Sequence, residues 1–230
     1  VSNYVKSHTS NYLSYNNKPV EIISSPVNLE MFQPKENIEV DDNLILFAGT
    51  VCEKKGIRHL VLAMEHVVKE FPDIRLEIYG RDWFFKNGDS YIDYLNKDVL
   101  STFNTSVKDA IKFKGVVSLQ ELSKKYAEAA LCVFPSLMET QGLVAQEAMA
   151  MEKLVVFSEL GPGAECISHK DTGLLCNPYE IETISNAIIW SLKNKSETKT
   201  IAEKGKNFIH DNYNITSLLE KNINFYKSLS

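Results

Sequence analysis

Leu131 to Ala150 reads LCVFPSLMETQGLVAQEAMA. Leu131 to Phe134 is an apolar run of strand length, stopped at Pro135. After a polar stretch, Gly142 opens LVAQEAMA, a mostly apolar segment that reads as a helix. A wholly apolar strand followed by an apolar helix is the repeating unit of a parallel sheet covered on both faces. The same stretch sets two carboxylates, Glu139 and Glu147, eight positions apart, with Gly142 between them. Amides exposed at a helix start can hold phosphate, and carboxylates accept hydrogen bonds from sugar hydroxyls.

Outward from this stretch the strand–helix alternation continues. Asn43 to Ala48 is expected to be a buried strand ending at Gly49. Ile57, Leu60, Val61, Met64, Val67 and Phe71 then recur at helical spacing before Pro72 stops the helix. Ile74 to Tyr79, Ile111 to Phe113, Leu154 to Phe157 and Gly173 to Cys176 read as further strands. Ser118 and Glu121 form a capping-box pattern opening a helix to Ala129. Arg81 to Ser90 is a polar, aromatic insertion with a helical segment after it. Val20 to Ile23 reads as a short strand, and Asn177 and Pro178 as the N-cap and first position of a helix. Three helical segments finish the chain. The fold expected is α/β, one doubly wound parallel sheet over residues 1–230, with ligands at the carboxyl ends of the strands. The glycines at 49, 80, 115, 142 and 161 all follow strands and would gather on that rim.

Composition narrows the function. The 230 residues carry a net charge of -5 with no basic stripe, which argues against nucleic acid as the main partner. Two or three placed cations would still suffice for a small anion. The four cysteines (Cys52, Cys132, Cys166, Cys176) form no CxxC pair, so a zinc site is not expected, and a reducing, cytoplasmic setting is the simplest reading. No apolar run approaches the ~18 residues that span a bilayer. The expected location is cytoplasmic, or peripheral at the inner face of a membrane. The first residue is Val1 rather than methionine, which reads as a piece of a longer protein or a processed product.

The candidate residues each carry two readings. Gly142, Leu143 and Val144 either present unpartnered amides to a diphosphate, or Gly142 merely permits a tight turn. Glu147 lies about one turn into an apolar helix, where a carboxylate needs a partner; it either takes the adjacent hydroxyls of a ribose or is a solvated surface group. Glu139 precedes the helix as a ligand, as a solvated loop carboxylate or as a cap of the helix. Lys54 and Lys55 stand at a helix start, where a cation opposes the dipole unless an anion compensates; a phosphate at this loop would supply that anion, or the two are simply a solvated lysine pair. Gly161 to Glu165 is either a plain turn or another loop of the rim. The five histidines are scattered, and no hydrolase nucleophile stands out.

Taken in order, these pieces resemble the retaining glycosyltransferases of the GT-B fold, group 1 or family 4, in their C-terminal, nucleotide-sugar-binding domain. The family pattern is close to PSxxEGFGLxxxEAMAxGxPVV, against PSLMETQGLVAQEAMAMEKLVV here. FAGTVCEKKG, IKFKGVV, GPGAECI and TGLLCNP support it, VSNYV resembles the family's linker and YNITSLLEKNINFY its final helix. The resemblance implies a Rossmann-like fold forming the C-terminal half of a GT-B enzyme. Residues 1–18 would be the interdomain linker and 214–230 the closing helix, and the N-terminal acceptor domain would be absent. It implies transfer of a glycosyl group from a nucleotide-diphospho-sugar to a sugar, lipid or other acceptor, with retention, in polysaccharide or glycoconjugate synthesis. It implies no cofactor and no metal; the nucleotide-sugar is the donor substrate.

The resemblance also assigns roles. Glu139, facing the donor sugar, and Lys55, neutralising the leaving diphosphate, would be catalytic. Gly142, Leu143 and Val144 would hold the diphosphate through backbone amides, and Glu147 the ribose hydroxyls. Gly49, Thr50, Lys54, Gly80, Arg81, Val116 and Val117 would complete the donor site. The sequence departs from the pattern at Thr50, where the family often has arginine, so that Arg81 or Lys54 would have to substitute. It departs again at Thr140-Gln141, in place of Gly-Phe, and at Glu152 and Leu154. The chain alone is expected to bind donor weakly and to transfer nothing. The alternatives are a stand-alone nucleotide-sugar-binding module without catalysis, discriminated by the length of the parent gene, and a nucleotide-sugar epimerase, which would need acid/base residues in the cleft.

Overall fold

Strand β1 (Asp41–Ala48) lies inside a six-stranded parallel sheet in the computed structural model, which describes residues 2–15 and 18–229. On one side of it are β2 (Arg75–Tyr79) and β3 (Ile111–Gly115); on the other are β4 (Ala129–Phe134), β5 (Leu154–Ser158) and β6 (Leu174–Cys176). The order is β3-β2-β1-β4-β5-β6, and every pairing is parallel. This is the Rossmann-like, doubly wound sheet that the apolar runs predict. Leu44 through Ala48 are buried in succession, as is all of β5, because helices cover both faces.

The chain leaves β1 first toward β3, then returns past it toward β6. With right-handed crossovers, these opposite directions wind helices onto opposite faces. α1 (Asn3–Ser10) precedes the sheet. α2 (Ile57–Glu70) joins β1 to β2; α3 (Tyr91–Tyr94) and α4 (Thr105–Ala110) lie between β2 and β3. α5 (Leu119–Glu128), α6 (Leu143–Ala150) and the short α7 (Gly163–Cys166) serve the returning crossovers. After β6, α8 (Ile181–Lys193) packs beside α2 and α9 (Lys195–Asn212) beside α6, and α10 (Ile215–Lys227) closes the chain. α2 buries Ile57, Leu60, Val61, Met64 and Val67, the stripe read from its periodicity, and breaks at Phe71 before Pro72. Ser118 caps α5 by accepting the Glu121 amide, and the helix yields to β4 at Ala129. Cys132 is fully buried, as its apolar neighbours predict, and all four cysteines are free.

Two local expectations fail. Val20 to Ile23 is not a strand. This segment lies against α9 and α10 instead. There the Ile22 carbonyl accepts from Lys221 Nζ at 3.0 Å, and Glu21 pairs with the same ammonium at 3.1 Å. β-branched residues favour a pleated surface only where one has room for them. Asn177 and Pro178 do not open α8, which starts at Ile181. Asn177 turns the chain first: its Oδ1 accepts the Tyr179 amide at 3.1 Å and its carbonyl the Glu180 amide at 3.0 Å, an Asx turn that delays the helix. Of the expected linker and closing segments, 3–10 and 215–227 are helical; residues 1, 16, 17 and 230 lie outside the described residues. Among the described residues no helix is long and apolar enough to cross a membrane.

Candidate functional site

Past the end of β1 the chain runs through Gly49 and Thr50 into a single 3-10 turn, Glu53–Lys55, before α2. Lys55 therefore ends a turn rather than beginning the helix. Gly56 makes the junction, with φ 69°, and a Cβ there would lie 1.8 Å from the Pro135 carbonyl oxygen. Only glycine combines that left-handed backbone with so close an approach. The approach joins two rim loops: the Lys54 carbonyl accepts the Leu137 amide at 2.9 Å and the Met138 amide at 3.2 Å.

The loop from β4 to α6 thereby brings Glu139 to Lys55. The Lys55 ammonium donates to Glu139 Oε1, which also accepts from Ser136 Oγ at 3.1 Å. The two side chains are 22% and 9% exposed, so the pair is shielded but open on one side. The anion that compensates Lys55 thus comes from the chain itself.

Gly142, with φ 85°, swings the backbone into α6 and has no side-chain cap. The first bonds of the helix run from Ala145 N and Gln146 N to the Gly142 carbonyl, at 3.0 and 3.3 Å. The amides of Gly142, Leu143 and Val144 are left without an intrahelical acceptor, at the positive end of the helix dipole. They share a cleft of about 250 Å³ with Lys55, Glu139 and Ser25. Glu147 lies one turn further along α6. Its Oε2 is 3.5 Å from the hydroxyl of Tyr126, a fully buried ring whose hydroxyl also reaches the Val144 carbonyl at 3.4 Å. Burial pushes the Glu147 carboxyl up to about 7, with the Tyr126 hydroxyl opposing the shift. Glu147 is not the solvated surface group of its alternative reading.

The other expected residues lie along the same rim, outside this cleft. Gly49 N bonds to the Tyr79 carbonyl, Gly80 N to the Gly115 carbonyl and Val51 N to the Arg81 carbonyl, each at 2.9 Å. These bonds lace the loops after β1, β2 and β3 together, setting Thr50 beside Arg81. The Arg81 side chain is exposed, as is Lys54. Val116 is 73% exposed and Val117 packs half-buried against the core. The Arg81–Ser90 insertion is an ordered turn. Asp82 accepts Ser90 Oγ at 2.5 Å and the Ile92 amide at 3.0 Å, while Trp83, Phe84 and Phe85 stay exposed. Among the described residues no group of three or more His, Cys, Asp or Glu could hold a metal ion.

Sequence reasoning missed Ser25, Gln141 and Tyr126. Tyr126 reads as one more core aromatic on α5, and nothing local marks Ser25. Gln141 carries a signal, since it stands where the family pattern has phenylalanine.

The chain belongs to the glycosyltransferases of group 1: the family's sequence model, described as "Glycosyl transferases group 1", matches residues 30–208. Among relatives, it is 30% identical over 196 residues to an uncharacterized glycosyltransferase of Methanocaldococcus jannaschii, covering 85% of this chain and 47% of that protein. Among solved structures, it superposes on sucrose-phosphate synthase of Thermosynechococcus elongatus with a TM-score of 0.85 at 24% identity, over 100% of this chain and 57% of that one. It superposes on Anabaena HepE in complex with UDP with a TM-score of 0.78 at 18% identity, over 90% and 57%. The last two likenesses establish the GT-B fold. The chain spans about half the length of the curated relatives it matches.

Proposed function

We propose that this chain is the donor-binding half of a retaining glycosyltransferase that takes a nucleotide-diphospho-sugar and serves polysaccharide or glycoconjugate synthesis. One observation carries the reading: a cation, a carboxylate and the free amides of a helix start line one cleft, with a second, half-buried carboxylate a turn away. A diphosphate seated on the Gly142, Leu143 and Val144 amides gains charge as the sugar leaves, and preorganised dipoles and Lys55 stabilise that charge where it develops. Glu139 faces the sugar, and Glu147 accepts from the ribose hydroxyls. Arg81 supplies the cation that Thr50 does not. No cofactor or metal ion enters this reading. The acceptor, a sugar, lipid or other hydroxyl compound, binds on the N-terminal half of the parent protein, so this chain alone transfers nothing.

Calorimetric titration with UDP-, GDP- and ADP-sugars tests the reading. One of them is expected to bind, and Glu147→Ala to weaken it at least tenfold, or about 1.4 kcal/mol. Binding of none, or of one unaltered by Glu147→Ala, overturns the donor assignment.

A further inference from the structure

Ser25 comes from the segment before β1, yet it forms one lip of the cleft. The Gln141 side chain holds it there. Gln141 Oε1 accepts the Ser25 N–H at 2.8 Å, and Gln141 Nε2 donates to the Ser25 carbonyl at 2.8 Å. The second Nε2 proton goes to Gln146 Oε1, inside α6, at 2.9 Å. Gln141 is 7% exposed. A buried amide satisfied on three counts is a fixed point, because losing any partner leaves a polar group without water. The next residue is Gly142, so the contacts that grip Ser25 also set where the amides of Gly142, Leu143 and Val144 point.

We propose that Gln141 is a positioning residue for the diphosphate: it clamps the Ser25 backbone to the start of α6 and so holds the phosphate seat in shape. The proposal rests on the nucleotide-sugar reading above. Gln141 also borders the cleft, but its amide is committed to Ser25 and Gln146. Its influence falls on the phosphates rather than the ribose, because Glu147 lies a turn further on, beside Tyr126.

The test compares UDP, GDP and ADP with their monophosphates by calorimetry on the chain and its variants. Gln141→Met keeps the side chain's length and removes all three hydrogen bonds. Ser25→Pro removes the N–H from the other side of the clamp, at an exposed residue, and decides the matter if Gln141→Met does not fold. Ser25→Ala leaves the backbone clamp intact. The preference for diphosphate over monophosphate is expected to fall about tenfold in Gln141→Met and Ser25→Pro, and to hold within about twofold in Ser25→Ala. A merely structural role would weaken both ligands together and leave the ratio unmoved. An unchanged ratio in the folded variant overturns the clamp while leaving the donor site standing. Failure of the unsubstituted chain to bind any nucleoside diphosphate overturns both.

Discussion

The Lys55 ammonium donates to the Glu139 carboxylate across 84 residues of chain, so the two residues expected to act on opposite ends of a donor hold each other. The pair keeps both charges oriented at the mouth of the cleft. On the proposed reading, a diphosphate arriving on the α6 amides would meet a lysine already aimed and a carboxylate already anchored by Ser136.

Lys55→Met leaves a 9% exposed carboxylate with only the Ser136 hydroxyl. Because the pair is open to solvent on one side, the loss of stability is expected to be about 1–2 kcal/mol. Nucleoside diphosphate affinity falls at least tenfold. The double variant Lys55→Met/Glu139→Gln should be less destabilised than the sum of its parts, measured by urea denaturation, because neither charge is then stranded.

Glu147 makes binding and stability depend on pH in opposite senses. Its carboxyl is raised from the ordinary 4.5 to about 7 by burial, and the ionised form is the stronger acceptor for ribose hydroxyls. Donor affinity should therefore climb as pH rises through about 7. In the unfolded chain the same group loses its proton near its ordinary value. Stability therefore falls as pH rises from about 4.5 to about 7, by on the order of 3 kcal/mol. Glu147→Gln is expected to be the more stable protein at pH 8, equal to the parent near pH 4, and flat in its binding profile; urea midpoints and titrations at both pH values check this.

Gly142→Ala meets two obstacles, the φ of 85° and the Phe157 ring, whose Cζ would lie 2.5 Å from the new methyl. A loss of about 2–4 kcal/mol is expected, partly recovered by Phe157→Leu, which withdraws the ring. Gly56→Ala meets the Pro135 carbonyl at 1.8 Å, and no side-chain change relieves a clash with backbone. Thermal denaturation of the three variants should separate the cases.

Arg81→Ala tests the replacement for the family's arginine at position 50. Arg81 is exposed, so its attraction for a diphosphate is screened by salt. About threefold to tenfold weaker binding at low ionic strength, shrinking at high, is the expected result; equal affinity at both removes Arg81 from the site.

Much of the site was legible because its parts are local. Gly142 announces a helix start and Glu147 a carboxylate among apolar neighbours, each visible within a turn of chain, whereas Lys55, read as a cation at a helix start, ends a 3-10 turn and is balanced by Glu139. What the neighbours do was not legible. Ser25 and Gln141 are 116 residues apart. Tyr126 reaches Glu147 only because α5 and α6 serve successive crossovers of the sheet.

By itself the sequence determined the alternation of strands and helices and the rim on which its glycines gather. Hydrophobic period and glycine–proline punctuation act within a few residues and do not depend on the rest of the fold. The tertiary structure alone decided that Lys55 answers Glu139, that a distant serine closes the cleft, and that Val20–Ile23 packs on α9 and α10. Those outcomes depend on strand order and on which surfaces remain uncovered after the core has packed, and packing is settled by the whole chain at once.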